Sequence, residues 1–284
     1  GELGNPQKTL CGFYKTDVLS KDECAETTIE IPYYAFASFD DSGVTGYPDA
    51  YVLEKGDYKF HLGTDCRNTE VVFTLNIPET IVIEQLTQVG APVTEFKILG
   101  KDGKEVQVAT DKTNLKNIIL ENLPSDCGYT GDKGIKLRDV KYGKNTLDEF
   151  VAQLTTKELE AISRGAYIMN SPLGAKGNAG VMGGVLPSLR DKGISPVTTT
   201  DGPSGIRLLA CCSLLPSGTT LACMWNTDLA FEVYSLLGSE MKEKGSDILL
   251  GPGLNIHRNP LCGRNFEYYS EDPFLTGKIG AAVI

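Results

Sequence analysis

The sequence predicts two folds in succession: an antiparallel β-sandwich, then a segment of an α/β barrel. Three observations carry this. Over roughly the first 105 residues apolar and polar side chains alternate in short runs separated by turns, the period of half-buried strands. At Thr146 the period changes to that of a helix. Beyond it, apolar strands alternate with helical stripes, the pattern of a parallel sheet covered by helices.

Taken in order, Thr9–Tyr14, Thr27–Ile31, Asp57–Leu62, Val71–Asn76 and Phe96–Leu99 alternate and are rich in Tyr, Thr, Val and Phe, with turns such as Asp41-Ser42-Gly43 between them. They support a sandwich over residues 1–105. They fall short of the roughly seven strands such a sandwich uses, so this domain is expected to begin in its middle. Residues 106–145 scatter Gly and Lys through Cys127–Gly134 and read as a linker. In residues 146–284, Leu147, Phe150, Val151 and Leu154 form one helical stripe, which Leu159 and Ile162 continue after a break at Leu154-Thr155-Thr156. A glycine-rich stretch follows (Gly174, Gly177, Gly180, Gly183, Gly184). Then come a short helix around Leu186–Lys192, a strand at Pro196–Thr200, a long helix at Asp228–Lys244, a strand at Asp247–Leu250 and a helix restarting at Asp272-Pro273. A whole barrel takes about 250 residues, so the expectation is the first half of one, stopping in mid-barrel.

Composition narrows the class. The chain of 284 residues has room for about two domains. Hydrophobic residues at 41% and charged residues at 23% describe a globular protein. A net charge of −10 leaves no basic face for phosphates, so nucleic acid is not an expected partner. No apolar run reaches the roughly 18 residues of a membrane span; the most apolar short stretch, Leu208–Leu215, has the length of a core segment. The chain opens at Gly1 without Met or signal peptide, and is expected to be processed or a piece of something longer. Its eight cysteines contain no C-x-x-C pair and have only His61 and His257 beside them, which argues against a zinc site. Unspaced cysteines read as free thiols in a reducing compartment, and the absence of an N-x-[ST] sequon agrees with a cytoplasmic protein. The glycines at 174, 177, 180 and 183 do not make a P-loop, since no G-K-[ST] follows, and there is no G-x-S-x-G nucleophile elbow.

Two loops concentrate the chemistry. After the strand at Asp247–Leu250 the chain carries Arg258, Arg264, Glu267, Glu271 and Asp272 on a loop rich in Gly, Asn and Pro. Charged residues crowded just after a buried strand are what an active-site rim looks like. Thr200-Asp201-Gly202-Pro203-Ser204-Gly205-Ile206-Arg207 follows the preceding strand. Asp201 sits at that strand's C-terminal end, and Gly202-Pro203 and Gly205 let backbone approach a ligand. A carboxylate accepts two hydroxyl hydrogen bonds, which suits vicinal sugar hydroxyls, although an Asp in a Gly-Pro turn also serves simply to form the turn. Arg264 offers a rigid fork of donors for a sugar hydroxyl and an acid together; taken alone it reads as a surface ion pair. Either Glu267 or Glu271 could orient it, and Asp272 before Pro273 looks like a helix N-cap. His257 stays unassigned, since a lone loop histidine is more often structural.

The stretch from Leu249 to Thr276, anchored by Gly263-Arg264-Asn265-Phe266-Glu267 and Ser270-Glu271-Asp272-Pro273, resembles the signature loop of glycoside hydrolase family 3, the β-glucosidase family. Thr200–Arg207 resembles the first substrate loop of that family. Leu10-Cys11-Gly12-Phe13-Tyr14-Lys15, Ser20-Lys21-Asp22-Glu23, Phe39-Asp40 and Tyr51–Tyr58 resemble its fibronectin type III-like module. The resemblance implies a multidomain chain: a partial fibronectin type III-like β-sandwich followed by the first half of a TIM-like (β/α) barrel. Most members place the barrel first, and the order here resembles a subset with swapped domains: sandwich domain, fibronectin-like module, barrel.

The same resemblance implies part of a retaining β-glucosidase that releases terminal non-reducing β-D-glucosyl residues through a covalent glycosyl-enzyme, with no metal or nucleotide cofactor. Asp201, Arg207 and Arg264 would contact the sugar. The chain departs from the family pattern in its catalytic groups. The family nucleophile is the Asp of a Ser-Asp-Trp motif, whereas the only tryptophan here, Trp225, stands in Met-Trp-Asn, and the Ser-Asp pairs are followed by Cys127 and Ile248. The family's sugar-contacting Lys-His pair is absent, and the general acid usually comes from the α/β sandwich domain. No residue of this chain is therefore assigned as catalytic. The implied partners are a β-glucoside and the remainder of the same enzyme, an upstream α/β sandwich domain and the rest of the barrel, with a homo-oligomer left open. β-Xylosidase and β-N-acetylglucosaminidase are alternatives within the family. A non-catalytic β-sandwich binding module is the alternative outside it, and a row of exposed aromatics on one sheet face would favour it.

Overall fold

A computed structural model describes residues 1–88, 90, 92–100, 102–108 and 114–284. The chain forms two compact units, one from Gly1–Phe13 and Glu26–Pro124, the other from Tyr14–Ala25 and Ser125–Ile284.

The first unit is built on antiparallel strands. These are β1 (Ser38–Asp40), β2 (Ala50–Leu53), β3 (Gly56–Gly63), β4 (Thr69–Ile77), β5 (Ile81–Gln85), β6 (Lys97–Leu99) and β7 (Glu105–Gln107). One sheet has the order β1-β2-β5, and β3–β4 and β6–β7 are hairpins. The core forms where β2 is covered on both edges: Ala50, Val52 and Leu53 are fully buried. Phe36 packs edge-on against Tyr58 and Phe60 of β3, at 5.6 and 5.3 Å between centroids. Asp40 closes the turn after β1. Burial alone would raise its carboxyl, but hydrogen bonds from the Thr45 hydroxyl and amide, Ser42 and Gly43 hold its pKa at about 2. The expected strands at Asp57–Leu62 and Val71–Asn76 lie inside β3 and β4, and Phe96–Leu99 overlaps β6. Thr9–Tyr14 and Thr27–Ile31 run instead as irregular chain. Alternation marks a half-buried surface, but a strand also needs a free edge to pair with, and both edges of β2 are already taken by β1 and β5. Helix α1 (Leu115–Glu121) follows, capped by Asn114, whose side chain accepts the Asn117 N–H at 3.3 Å.

The second unit opens on three short helices, α2 (Leu137–Lys141), α3 (Leu147–Ala152) and α4 (Thr156–Arg164). The break between α3 and α4 is a new N-terminus: Thr146 with Glu149, and Thr155 with Glu158, each form a capping box. Phe150, Leu154, Ala161 and Leu189 make the buried core here, with Ile162, Val140 and Ile194 packed on it, while Leu147 and Leu159 lie on the exposed margin of the stripe. Residues 130–141 are built into this unit. Thr130 N–H donates to the Ala152 carbonyl at 2.9 Å, Ile135 N–H to Gln153 Oε1 at 3.0 Å and Leu137 N–H to the Lys192 carbonyl at 2.8 Å. The stretch 106–145 read as a linker thus contains α1 and α2; its residues 109–113 lie outside the described residues.

The remaining elements are β8 (Gly180–Gly183), α5 (Pro187–Asp191), β9 (Pro196–Asp201), α6 (Gly218–Cys223), α7 (Thr227–Lys244), β10 (Ile248–Leu250) and α8 (Pro273–Val283). Their sheet has the order β10-β9-β8. β9 and β10 are parallel, joined through α6 and α7, whereas β8 pairs antiparallel with β9. β8 lies in the glycine-rich stretch, whose composition hides it because Gly packs nothing on a strand surface. At the N-terminal end of β9, Lys192 Nζ lies 2.9 Å from Glu158 and 3.1 Å from Asp132, beside a cavity of about 480 Å³. That is the end of the sheet opposite Asp201.

Candidate functional site

Asp201 is the last residue of β9, Leu250 is the last of β10, and the two are register partners in the parallel pair. The loops that follow therefore leave the sheet level with each other, from one edge. In the first loop Gly202 and Gly205 take φ of +129° and +117°. A Cβ on Gly202 would lie 1.7 Å from the Gly205 carbonyl oxygen, and one on Gly205 2.2 Å from that of Ser213. Only glycine lets the chain turn this tightly. The turn brings the strand back on itself: Arg207 N–H donates to the Asp201 carbonyl at 2.9 Å and to Thr200 Oγ1 at 3.2 Å. As a result Arg207 Nη1 stands 3.5 Å from Asp201 Oδ2, with side-chain exposures of 74% and 48%. A pair this exposed adds little stability and leaves both groups free to meet a ligand.

The second loop is organised around Arg264 and Glu267. A single 3₁₀ turn at Asn265–Glu267 brings the Arg264 Nε–H onto Glu267 Oε1 in a short hydrogen bond. Arg264 is 70% exposed and Glu267 only 6%, so the carboxylate is the buried anchor and the guanidinium the exposed arm. The seat is braced by α6, where the Thr219 hydroxyl donates to the Tyr268 carbonyl at 2.7 Å. The Glu267 carboxylate raises the Arg264 guanidinium above its already high value, and smaller contributions of the same sign come from Tyr268 and from Asp201. Asp201 is thus within electrostatic reach of Arg264.

The other candidates separate cleanly. Glu271 is exposed. Asp272 is a helix cap, its Oδ1 accepting the Leu275 N–H at 2.8 Å with Pro273 at the first helical position. His257 is held by its backbone, whose N–H donates to the Ser270 carbonyl at 3.0 Å, and its ring lies 6.3 Å from that of Tyr268. Among the described residues no group of three or more His, Cys, Asp or Glu is arranged to hold a metal ion. Sequence reasoning left Glu267 and Glu271 level; the spacing of three between Arg264 and Glu267 on a helical turn is the signal that separates them. It gave no sign of Tyr234 on α7, whose hydroxyl donates to the Pro203 carbonyl at 2.8 Å directly under the first loop.

Comparison with known proteins agrees along the whole length. The family model of the fibronectin type III-like domain matches residues 1–66, and that of the glycosyl hydrolase family 3 N terminal domain matches residues 144–284. The chain is similar to a β-glucosidase of Ruminococcus albus, 46% identical over 288 residues, which cover 99% of this chain and 30% of that protein. It is also similar to β-glucosidase A of Butyrivibrio fibrisolvens, 34% identical over 318 residues covering 100% of this chain and 36% of that one. The crystal structure of a β-glucosidase from Paenibacillus barengoltzii matches with a TM-score of 0.93 at 44% identity, over 100% of this chain and 32% of that one. The chain spans about a third of the length of these relatives.

Proposed function

The chain belongs to glycoside hydrolase family 3, and from that premise we propose that it forms part of the glucose subsite of a retaining β-glucosidase. In this reading residues 1–105 are a fibronectin type III-like module and residues 106–145 connect it to the next domain. Residues 146–284 are then the first half of a TIM-like barrel, completed by segments corresponding to the rest of its relatives. The parallel pairing of β9 and β10 through a helical crossover supports the barrel. Asp201 accepts two hydroxyls of the terminal glucosyl residue, Arg264 donates to a neighbouring hydroxyl while Glu267 holds it, and Arg207, paired with Asp201 at 3.5 Å, contacts the sugar beside it.

The observation that supports the reading is the level ending of β9 and β10, from which the loops carrying Asp201 and Arg264 both start at one edge of the sheet. The reacting carboxyls come from elsewhere in the enzyme. One attacks the anomeric carbon while the other protonates the departing oxygen, and water then releases the sugar with the second group acting as base. Two carboxyls suffice for this double displacement, so no metal or nucleotide is required. Eight free cysteines support a cytoplasmic enzyme. A crystal of the full-length enzyme with glucose tests the assignment. The Asp201 carboxylate and Arg264 guanidinium are expected within about 3.2 Å of sugar hydroxyls; either group turned to solvent removes its role.

A further inference from the structure

We propose that Tyr234, in the middle of α7, is a positioning residue that sets the Asp201 loop through the carbonyl of Pro203. The inference rests on the subsite reading above and adds to it the group that holds the subsite in place.

Asp201 must meet its ligand to within a few tenths of an ångström, yet the four residues after it are Gly-Pro-Ser-Gly. Two glycines give this segment the widest backbone freedom available, and a proline contributes no N–H to fix it. Something outside the segment has to tether it. The backbone does so at its far end, where Leu215 N–H donates to the Ser204 carbonyl at 2.9 Å. The Asp201 carbonyl is held by the Arg207 N–H at 2.9 Å, and within the segment itself the tether nearest Asp201 is a side chain: the Tyr234 hydroxyl donates to the Pro203 carbonyl at 2.8 Å across 31 residues of sequence. Tyr234 is 8% exposed and stands on a helix of 18 residues, so it is a fixed post. Tyr269, 1% exposed and two residues beyond Glu267, lies against it. The Tyr269 hydroxyl is outside strict hydrogen-bond geometry with that of Tyr234 but close enough to feel it. The two phenols thereby connect the Asp201 loop to the chain just beyond Glu267. Burial pushes both hydroxyls up, so Tyr234 remains a donor throughout the working range of pH.

Filling the core needs only the ring of Tyr234; the hydroxyl is what the tether needs. Tyr234→Phe in the full-length enzyme isolates the difference. It leaves the Pro203 carbonyl unpaired and frees the loop, and an increase in KM of about tenfold with kcat changed less is expected on an aryl β-glucoside. In an Asp201→Asn background the same Tyr234→Phe change should add less than about twofold, because the residue it positions has already lost its charge. Wild-type KM in Tyr234→Phe overturns the proposal, as does an equal cost in both backgrounds, or a fall in Tm with KM unchanged. Wild-type kinetics in Asp201→Asn alone would sink the subsite reading, and this inference with it. A crippled Asp201→Asn beside an unaffected Tyr234→Phe sinks only the positioning role.

Discussion

Arg264 and Glu267 differ more than their ion pair suggests, since one is exposed and the other buried beneath it. Replacing the exposed arm tests its geometry. Arg264→Lys in the full-length enzyme should lose nearly as much kcat/KM as Arg264→Ala, because an ammonium cannot bridge Glu267 and a sugar hydroxyl as a planar fork does. Retention of most of the activity by the Lys variant would reduce Arg264 to a point charge. Asp201→Ala removes two charge-assisted hydrogen bonds, each about 1.5–3 kcal/mol, so kcat/KM should fall by roughly 10²–10⁴ while the fold survives. A variant with unchanged kinetics would return Asp201 to turn formation. The positions of both residues are legible in the sequence, because each lies on the loop after a predicted strand whose end fixes where that loop begins. The choice between Glu267 and Glu271 is not, because an irregular loop has no period; the short turn over Asn265–Glu267 makes it. Tyr234 is invisible for a different reason. On α7 it reads as one more core residue, and the distant carbonyl it meets belongs to no pattern along the chain.

Among the elements, those with a strong apolar period are the ones the sequence makes plain. Helix α7 and strands β9 and β10 lie within a residue or so of where their patterns put them, although Ile248 and Leu250 of β10 stay exposed. β8 and β2 escape notice, one hidden among glycines and the other too short to show its period. The buried pair joining α4 to the end of α5 escapes as well, and it governs stability. Glu158 accepts from the Thr155 N–H at 2.9 Å and from Lys192 Nζ at 2.9 Å. Burial would raise its carboxyl, yet these bonds, the Thr155 amide foremost, bring it down to about 2. A carboxyl lowered on folding stabilises above its unfolded value, near 4.5, and that stability disappears as pH falls through about 2. The contribution is on the order of 3 kcal/mol. Urea unfolding between pH 5 and pH 2.5 should show a stability loss that Glu158→Gln flattens; an unchanged slope in that variant would assign the loss to other groups, Asp40 among them. Removing one partner leaves a buried charge, so Glu158→Ala should cost about 3–5 kcal/mol. Glu158→Leu combined with Lys192→Met should cost less than either change alone.

At the scale of the whole molecule, the proposed subsite would give the second unit the groups that bind a sugar but not the pair of carboxyls that reacts. A retaining glycosidase needs a nucleophile and an acid about 5–5.5 Å apart, the acid with a raised pKa. Asp201 and Glu267 are two carboxylates that could be cast in those parts. Glu267 is buried and its oxygen is already committed to the Arg264 guanidinium, so it is not free to protonate a leaving group. Asp201 is half exposed beside Arg207 and in the proposed subsite accepts hydroxyls. The 284-residue chain, purified free of other polypeptides, should therefore bind without turning over. Incubated with an aryl β-glucoside, it is expected to release aglycone no faster than buffer. When segments corresponding to the rest of its relatives are supplied, activity should appear and should survive EDTA, because the double displacement is carried by carboxyls alone. Turnover by the chain alone that Asp201→Asn abolishes would make Asp201 the nucleophile itself, and the division of labour between this chain and the remainder of the enzyme would have to be redrawn.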